Sequence, residues 1–310
     1  MSNKLTGVFA PVVTPFKPDL SPDFDLYLDH CRWLLQQGAG LAMFGTNSEA
    51  NSLTTAERMH LLDKLVQHGI DARRALPGTG CCTIQDTVEL SRHATVHGCA
   101  GVLMVPPFFY KNLSDEGLFA YYSEVIERVN LPDLRVYLYH IPAFSGVPIS
   151  LGLIERLIKR YPQQVAGIKD SSGDWGNLEA MLKNFPDFSI FPASESFLTK
   201  AVPLGASGCI SATINVNPSA ISRLCATLQK ADKSDPVEQQ QAVDVVRKIF
   251  QGYPMIAALK FAISHYSGIP SWQIQRPPLS SLAADKKTEL LAALDAAGFN
   301  MPGLPTGRKP

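Results

Sequence analysis

Val165-Ala166-Gly167-Ile168-Lys169-Asp170-Ser171-Ser172-Gly173-Asp174 is the stretch around which the rest of the chain can be ordered. A short apolar run ends in a lysine and passes at once into a polar, glycine-containing turn. Runs of this length bounded by turn residues read as strands buried on both faces, the habit of parallel sheets. A lysine ending such a strand loses hydration, which disfavours its charged form. A lysine kept neutral at neutral pH attacks carbonyl carbon and forms a Schiff base. The competing reading is a lysine that leaves the sheet and points into solvent.

Outward from this strand the same rhythm repeats. Strands are expected at 7–14, 41–44, 75–82, 101–105, 134–140, 165–170, 188–193 and 208–211, with helical segments between them near 25–37, 84–97, 114–130, 150–160, 175–184 and 195–204. A further helix starts at Thr54, where a hydroxyl cap precedes Glu57 by three residues, the spacing of a capping box. Three junctions share one punctuation: Gly38-Ala39-Gly40, Gly98-Cys99-Ala100-Gly101 and Gly205-Ala206-Ser207-Gly208. The first glycine supplies the left-handed residue that ends a helix, and the second is expected to let the chain turn into the sheet. Eight strands alternating with helices are what a closed (β/α)₈ barrel needs, with right-handed crossovers. An open doubly wound sheet is the alternative, but no G-x-G-x-x-G follows the first strand.

Past Asn217 the strands stop, and helices are expected at 219–230, 237–253, 255–266 and 282–297. The first of these closes the barrel. The chain therefore divides into a catalytic barrel, 1–231, and a C-terminal helical extension, 232–310, packed on it. The tail from Met301, rich in Pro and Gly, is expected to be loosely held.

Composition narrows the function classes. The 310 residues are 45% hydrophobic and 18% charged, with formal net charge zero. A balanced charge gives no electrostatic ground for nucleic acid or an anionic membrane as partner. No apolar run approaches the ~20 residues of a spanning helix, and the N-terminus lacks a basic-then-apolar leader. The six cysteines show no C-x-x-C spacing and read as reduced thiols, which places the protein in the cytoplasm. His93 and His97 lie four apart on a helix, but no third ligand sits at a suggestive spacing, so no metal is expected. Gly78-Thr79-Gly80 lacks the Lys-Ser/Thr of a phosphate-binding loop.

Active groups of such a barrel sit at the C-terminal ends of its strands. That rule selects Thr46 and Asn47, Phe108 to Lys111, Tyr139 and His140, Lys169, and Ile210 with Ser211. One lysine, one tyrosine and a hydroxyl/amide turn thus meet at one mouth, the ingredients of imine chemistry.

Gly45-Thr46-Asn47-Ser48-Glu49, Tyr139-His140-Ile141-Pro142 and Gly167-Ile168-Lys169-Asp170 resemble the dihydrodipicolinate synthase / N-acetylneuraminate lyase family in motif and order, from about Gly7 to Ala297. The resemblance implies a (β/α)₈ barrel with a C-terminal helical extension, no metal or organic cofactor, and a homotetramer built as a dimer of dimers. It implies that Lys169 forms an imine with pyruvate or another 2-keto acid. A protonated imine is an electron sink for the carbanion at C3 that forms as a carbon–carbon bond breaks or is made. Keeping that amine neutral near pH 7, against a usual pKa of about 10.4, costs about 4 kcal/mol of environment. Tyr139 matches the proton-relay tyrosine. Thr46 and Asn47 match the pair that receives the keto acid's carboxylate, and Ile210 the position whose backbone carbonyl lies near substrate.

The departures shape the expected function. Asn47 and Ser48 stand where the family has Thr and Gly, and an amide cannot pass a proton as a hydroxyl does. Pro107-Phe108-Phe109-Tyr110 replaces a Pro-Tyr-Tyr, so Phe109 falls on a relay tyrosine and Tyr110 is a displaced substitute. Phe144 falls where true dihydrodipicolinate synthases carry an arginine for the aldehyde's carboxylate, and no guanidinium fork is left to bind it bidentately. The favoured reading is a carbon–carbon lyase, an aldolase, taking pyruvate or a 2-keto-3-deoxy acid and an aldehyde. The alternatives are dihydrodipicolinate synthesis, a keto-acid dehydratase, and, outside enzymes, a keto-acid-binding regulatory barrel with a broken relay.

Overall fold

The computed structural model describes residues 4–230 and 236–307. In chain order these form β1 (Gly7–Ala10), α1 (Phe24–Gln36), β2 (Gly40–Leu41), α2 (Thr55–Gln67), α3 (Ile84–Val96), β3 (Val102–Met104), α4 (Asp115–Val129), β4 (Val136–His140), α5 (Pro142–Ser145), α6 (Leu151–Arg160), β5 (Val165–Asp170), α7 (Trp175–Asn184), β6 (Ser189–Pro192), α8 (Leu198–Ala201), β7 (Gly208–Ile210), α9 (Pro218–Lys230), α10 (Pro236–Gln251), α11 (Met255–Ser267) and α12 (Ala284–Ala296). All strand pairs are parallel, in the orders β2-β1-β7 and β3-β4-β5-β6.

The eighth staff of the barrel is the segment expected as a strand at 75–82. It is held by single bridges, Leu41 to Ala75 and Gly78 to Leu103, rather than by a continuous ladder. Pro77 has no N–H to give, which interrupts the ladder between them. The segment nonetheless joins the two sheets, since Leu76 N–H donates to Leu41 O and Thr79 N–H to Leu103 O. On the other side the seam between β6 and β7 is carried by Ser207 N–H to Ile190 O. The barrel is thereby closed, as the (β/α)₈ reading expects.

Alternation along each strand sorts its residues into two layers. Phe9, Ala42, Leu76, Leu103, Tyr137, Tyr139, Phe191 and Ile210 fill the barrel interior. Val8, Leu41, Val102, Val136, Leu138, Ile168 and Ile190 face the helices. The glycine junctions serve both layers. Gly38, Gly98 and Gly205 end their helices with positive φ, as expected. The second glycines have another use: a Cβ on Gly40 would overlap the Phe9 ring and one on Gly101 the Tyr137 ring. Gly40 and Gly101 thus clear space for interior aromatics, whereas Gly208, at φ 142°, lets β7 approach the Gly7 backbone.

Two expected elements differ. The helix expected at 195–204 is broken into two 3₁₀ turns flanking the single turn of α8, with Pro203 in the last. The tail is docked through Gly307: Met301 and Leu304 are buried, Pro302 O accepts from Trp33 Nε1, and Gly307 N–H donates to Ser267 O. The division expected between 231 and 232 lies outside the described residues. Lys260 of α11 is fully buried and its Nζ lies 2.6 Å from Glu49 Oε1 in the loop after β2. No helix among the described residues is long and apolar enough to cross a membrane.

That ion pair yields a stability prediction. Burial pushes the Glu49 carboxyl up and the Lys260 ammonium down, each opposed by the partner's charge. Lys260→Met strands a buried carboxylate, so the variant is expected to lose about 3–5 kcal/mol. The loss should show as a lower urea midpoint at unchanged slope. Adding Glu49→Gln should restore part of it, and a loss below about 1 kcal/mol would mean the pair is solvated.

Candidate active site

The mouth of the barrel is built from β4 and β5, which pair in register so that Tyr139 lies beside Lys169. Which way Lys169 points follows from the residue two before it. Gly167 faces the barrel interior, where a Cβ would overlap the Tyr137 ring. A strand repeats every second residue, so Lys169 faces inward as well, and Tyr137 puts Tyr139 on the same face. Lys169 is 4% exposed, and its Nζ sits 4.2 Å from the centroid of the Tyr139 ring. Among the described residues it forms no hydrogen bond and no carboxylate pairs with it. The contrast with Lys260 is direct: two buried lysines, one locked to a glutamate and one left free toward the mouth.

The Tyr139 hydroxyl meets Thr46 Oγ1 at 3.1 Å, tying β4 to the turn after β2. That turn is folded on itself by Ser48 N–H to Gly45 O, Glu49 N–H to Thr46 O and Ala50 N–H to Gly45 O. Glu49 ends it in the left-handed region, φ 58°, and Lys260 fixes it there. Among the described residues the N–H groups of Thr46 and Asn47 donate to nothing. Both residues are half-buried beside the mouth, so two consecutive amides remain available to an anion. Thr14 Oγ1 braces the turn from below by donating to Ser48 O at 2.7 Å.

Other expected positions are placed less centrally. Ile210 lies in the interior cluster, its side chain buried as core. His140, next to Tyr139 in sequence, points the opposite way. Its Nδ1 accepts from Ile149 N–H at 3.0 Å and its Nε2 lies 3.9 Å from Asp170 Oδ1. Burial lowers the His140 imidazole below its ordinary pKa, the Asp170 carboxylate working against it, so this ring holds the outer wall. Phe109, Tyr110 and Phe144 are all exposed, and Lys111 joins their two loops by reaching Phe108 O and, at 2.6 Å, Ser145 O. Tyr110 stacks edge-on against Phe109 and is not part of the Thr46–Tyr139 contact.

A buried network at the end of β7 was not foreseen. Glu195 accepts from Ser211 Oγ and Thr213 Oγ1, and Arg247 of α10 lies 3.2 Å away. Asn215 similarly ties Val13 N–H, Pro11 O and His30 together. These groups clamp the rim under the helical extension. Glu195 sat in a stretch readable only as helix, so its spacing gave no signal. An opening of about 810 Å³ at the opposite end of the barrel, lined by Arg73, Arg135, Val165 and Ser189, contains neither Lys169 nor Tyr139.

The chemistry available at the mouth is that of a buried amine with no counter-ion, a phenol hydrogen-bonded to a hydroxyl, and free amides placed for a carboxylate. Comparison with known proteins points the same way. The model of the dihydrodipicolinate synthetase family matches residues 4–297. A relative described as an uncharacterized DapA-like lyase from Chloroflexus aurantiacus is 32% identical over 94% of this chain and 95% of its own length. Among solved structures, a dihydrodipicolinate synthase from Agrobacterium tumefaciens superposes with a TM-score of 0.86 at 32% identity, covering 94% of this chain and 99% of that one. YagE, a prophage protein of the dihydrodipicolinic acid synthase family from E. coli K12 in complex with pyruvate, superposes at 0.85 with 26% identity, covering 95% and 99%.

Proposed function

The chain belongs to the dihydrodipicolinate synthetase family of class I lyases, and on that premise we propose that it makes or breaks a carbon–carbon bond through an imine between Lys169 and pyruvate or a 2-keto-3-deoxy acid. The observation that carries this reading is the unpaired, buried Lys169 amine 4.2 Å over the Tyr139 ring. In the proposed cycle the amine adds to the keto carbon and water leaves, giving a protonated imine. The C3–C4 bond then breaks into that electron sink and an aldehyde departs, after which the enamine takes a proton at C3 and water releases pyruvate from Lys169. Tyr139, hydrogen-bonded to Thr46, moves the proton that the aldehyde oxygen gives up. The free amides of Thr46 and Asn47 receive the keto acid's carboxylate, and the Ile210 carbonyl borders the substrate. No metal or organic cofactor has a part in this scheme.

Dihydrodipicolinate synthesis is the second reading, favoured by the 32% identity to the Agrobacterium tumefaciens enzyme. Against it stands Phe144, exposed on the mouth-side turn α5 where a carboxylate-binding arginine is expected. Phe108, Phe109 and Phe144 favour a partly apolar aldehyde. The exposed rings of Phe109, Tyr110 and Phe144 support a second copy of the chain as a neighbour, in a homotetramer, and six unpaired cysteines suit a cytoplasmic protein. The test is a panel of 2-keto-3-deoxy acids plus aspartate semialdehyde with pyruvate, run against Lys169→Ala. We expect cleavage of at least one keto-deoxy acid. Turnover of aspartate semialdehyde at a synthase's rate would select the second reading. Imine formation without turnover of any substrate would select a regulatory barrel.

A further inference from the structure

The two histidines set aside in the sequence have a third partner that only the fold supplies. Asp63 of α2 brings Oδ1 to 2.8 Å from His93 Nε2 and 2.7 Å from His97 Nε2 on α3. The histidines are four apart, so their rings share one face of α3 and lie with centroids 4.6 Å apart. All three donor atoms fall within 4.8 Å of one another, and each side chain is only partly exposed. Partial burial raises the Asp63 carboxyl, but the two histidines hold it below its usual range, so it is a carboxylate at neutral pH.

We propose that Asp63, His93 and His97 form a binding site for a divalent transition-metal ion of the zinc class. Two imidazole nitrogens and one carboxylate oxygen are the donor set such ions take, at about 2.0–2.2 Å, with a fourth position left to water. Tetrahedral bonds of that length set donors roughly 3.3 Å apart, so each histidine–aspartate contact opens by roughly half an ångström. That is a small rotation for side chains that are not packed solid. Each histidine would bind the ion through its Nε2 lone pair, with the ring proton carried on Nδ1. All three side chains are partly exposed, which lets the ion and its water reach the site from solvent. His97 caps the C-terminal end of α3, which runs back toward the start of β3, so the site sits away from the Lys169 mouth. Its effect would be to staple α2 to α3.

The experiment uses the full chain without a histidine tag. Zn²⁺ affinity is measured by competition with a chromogenic chelator, and Co²⁺ is added to read its visible d–d bands. We expect one ion per chain, a raised thermal midpoint, and affinity weakened by at least about tenfold in Asp63→Asn and His93→Ala, since removing one ligand of three costs at least as much as disturbing its supports. Lyase activity should be unchanged by the ion. Co²⁺ bands of a thiolate complex would assign the ion to the cysteines and overturn the proposal. So would absence of binding in the wild type, or binding that all three of Asp63→Asn, His93→Ala and His97→Ala leave intact.

Discussion

Replacing Lys169 by alanine is expected to lower kcat/KM by at least about 10⁴-fold for every keto acid the wild type accepts, because the step that opens the covalent route has no substitute. The same variant should stay folded. Lys169 Nζ has no hydrogen-bond or ion-pair partner among the described residues, so its removal leaves no other buried polar group unsatisfied. Its Nζ lies over the Tyr139 ring. The two buried lysines therefore predict opposite phenotypes. Lys169→Ala loses activity and keeps its denaturation midpoint, whereas Lys260→Met loses stability by stranding Glu49. Steady-state kinetics and urea denaturation of both variants read the pair. Residual activity within about tenfold of wild type in Lys169→Ala would place the nucleophile elsewhere.

Tyr139→Phe is the second large effect. The substitution keeps the ring that fills the barrel and faces Lys169, and removes only the hydroxyl bonded to Thr46. If that hydroxyl moves the proton, kcat falls by about 10²–10⁴-fold. The imine should still form, because the amine and its burial are untouched. Thr46→Val should show a smaller loss, since it removes the partner of the relay group and not the group itself. Unchanged turnover in Tyr139→Phe would remove Tyr139 from the chemistry. Loss of imine trapping together with turnover would make it part of imine formation.

The family and the barrel were legible in the sequence because their signals are local and repeated. Three helix–strand junctions carry the same glycine punctuation, and β5 was readable to its ends because an apolar run is bounded on both sides. Lys169 and Tyr139 were readable because each lies at the C-terminal end of a strand, where the active groups of such a barrel sit. What stayed hidden depends on partners remote in sequence. The strand at 75–82 reads as apolar, but a single proline denies it a ladder, and its two bridges come from neighbours on either side. The tail reads as Pro- and Gly-rich and therefore loose, yet Met301 and Leu304 find cover that composition does not reveal. Asp63 belongs to one helix and His93 and His97 to the next, so no spacing within either joins them. The clamp of Glu195 by Ser211, Thr213 and Arg247 spans three separate stretches. Tyr139 and His140 show the converse error. Adjacent in sequence, they lie on opposite sides of the barrel wall, one in the site and one outside it.

Covalent capture of the substrate by Lys169 is read by reducing the imine in place. The wild-type chain is incubated with pyruvate, reduced with borohydride, digested and mapped by mass spectrometry. A single reduced keto-acid adduct is expected on Lys169, absent without pyruvate and absent in Lys169→Ala. No adduct with pyruvate or with any larger keto acid, or an adduct on another lysine while Lys169 stays unmodified, would contradict it.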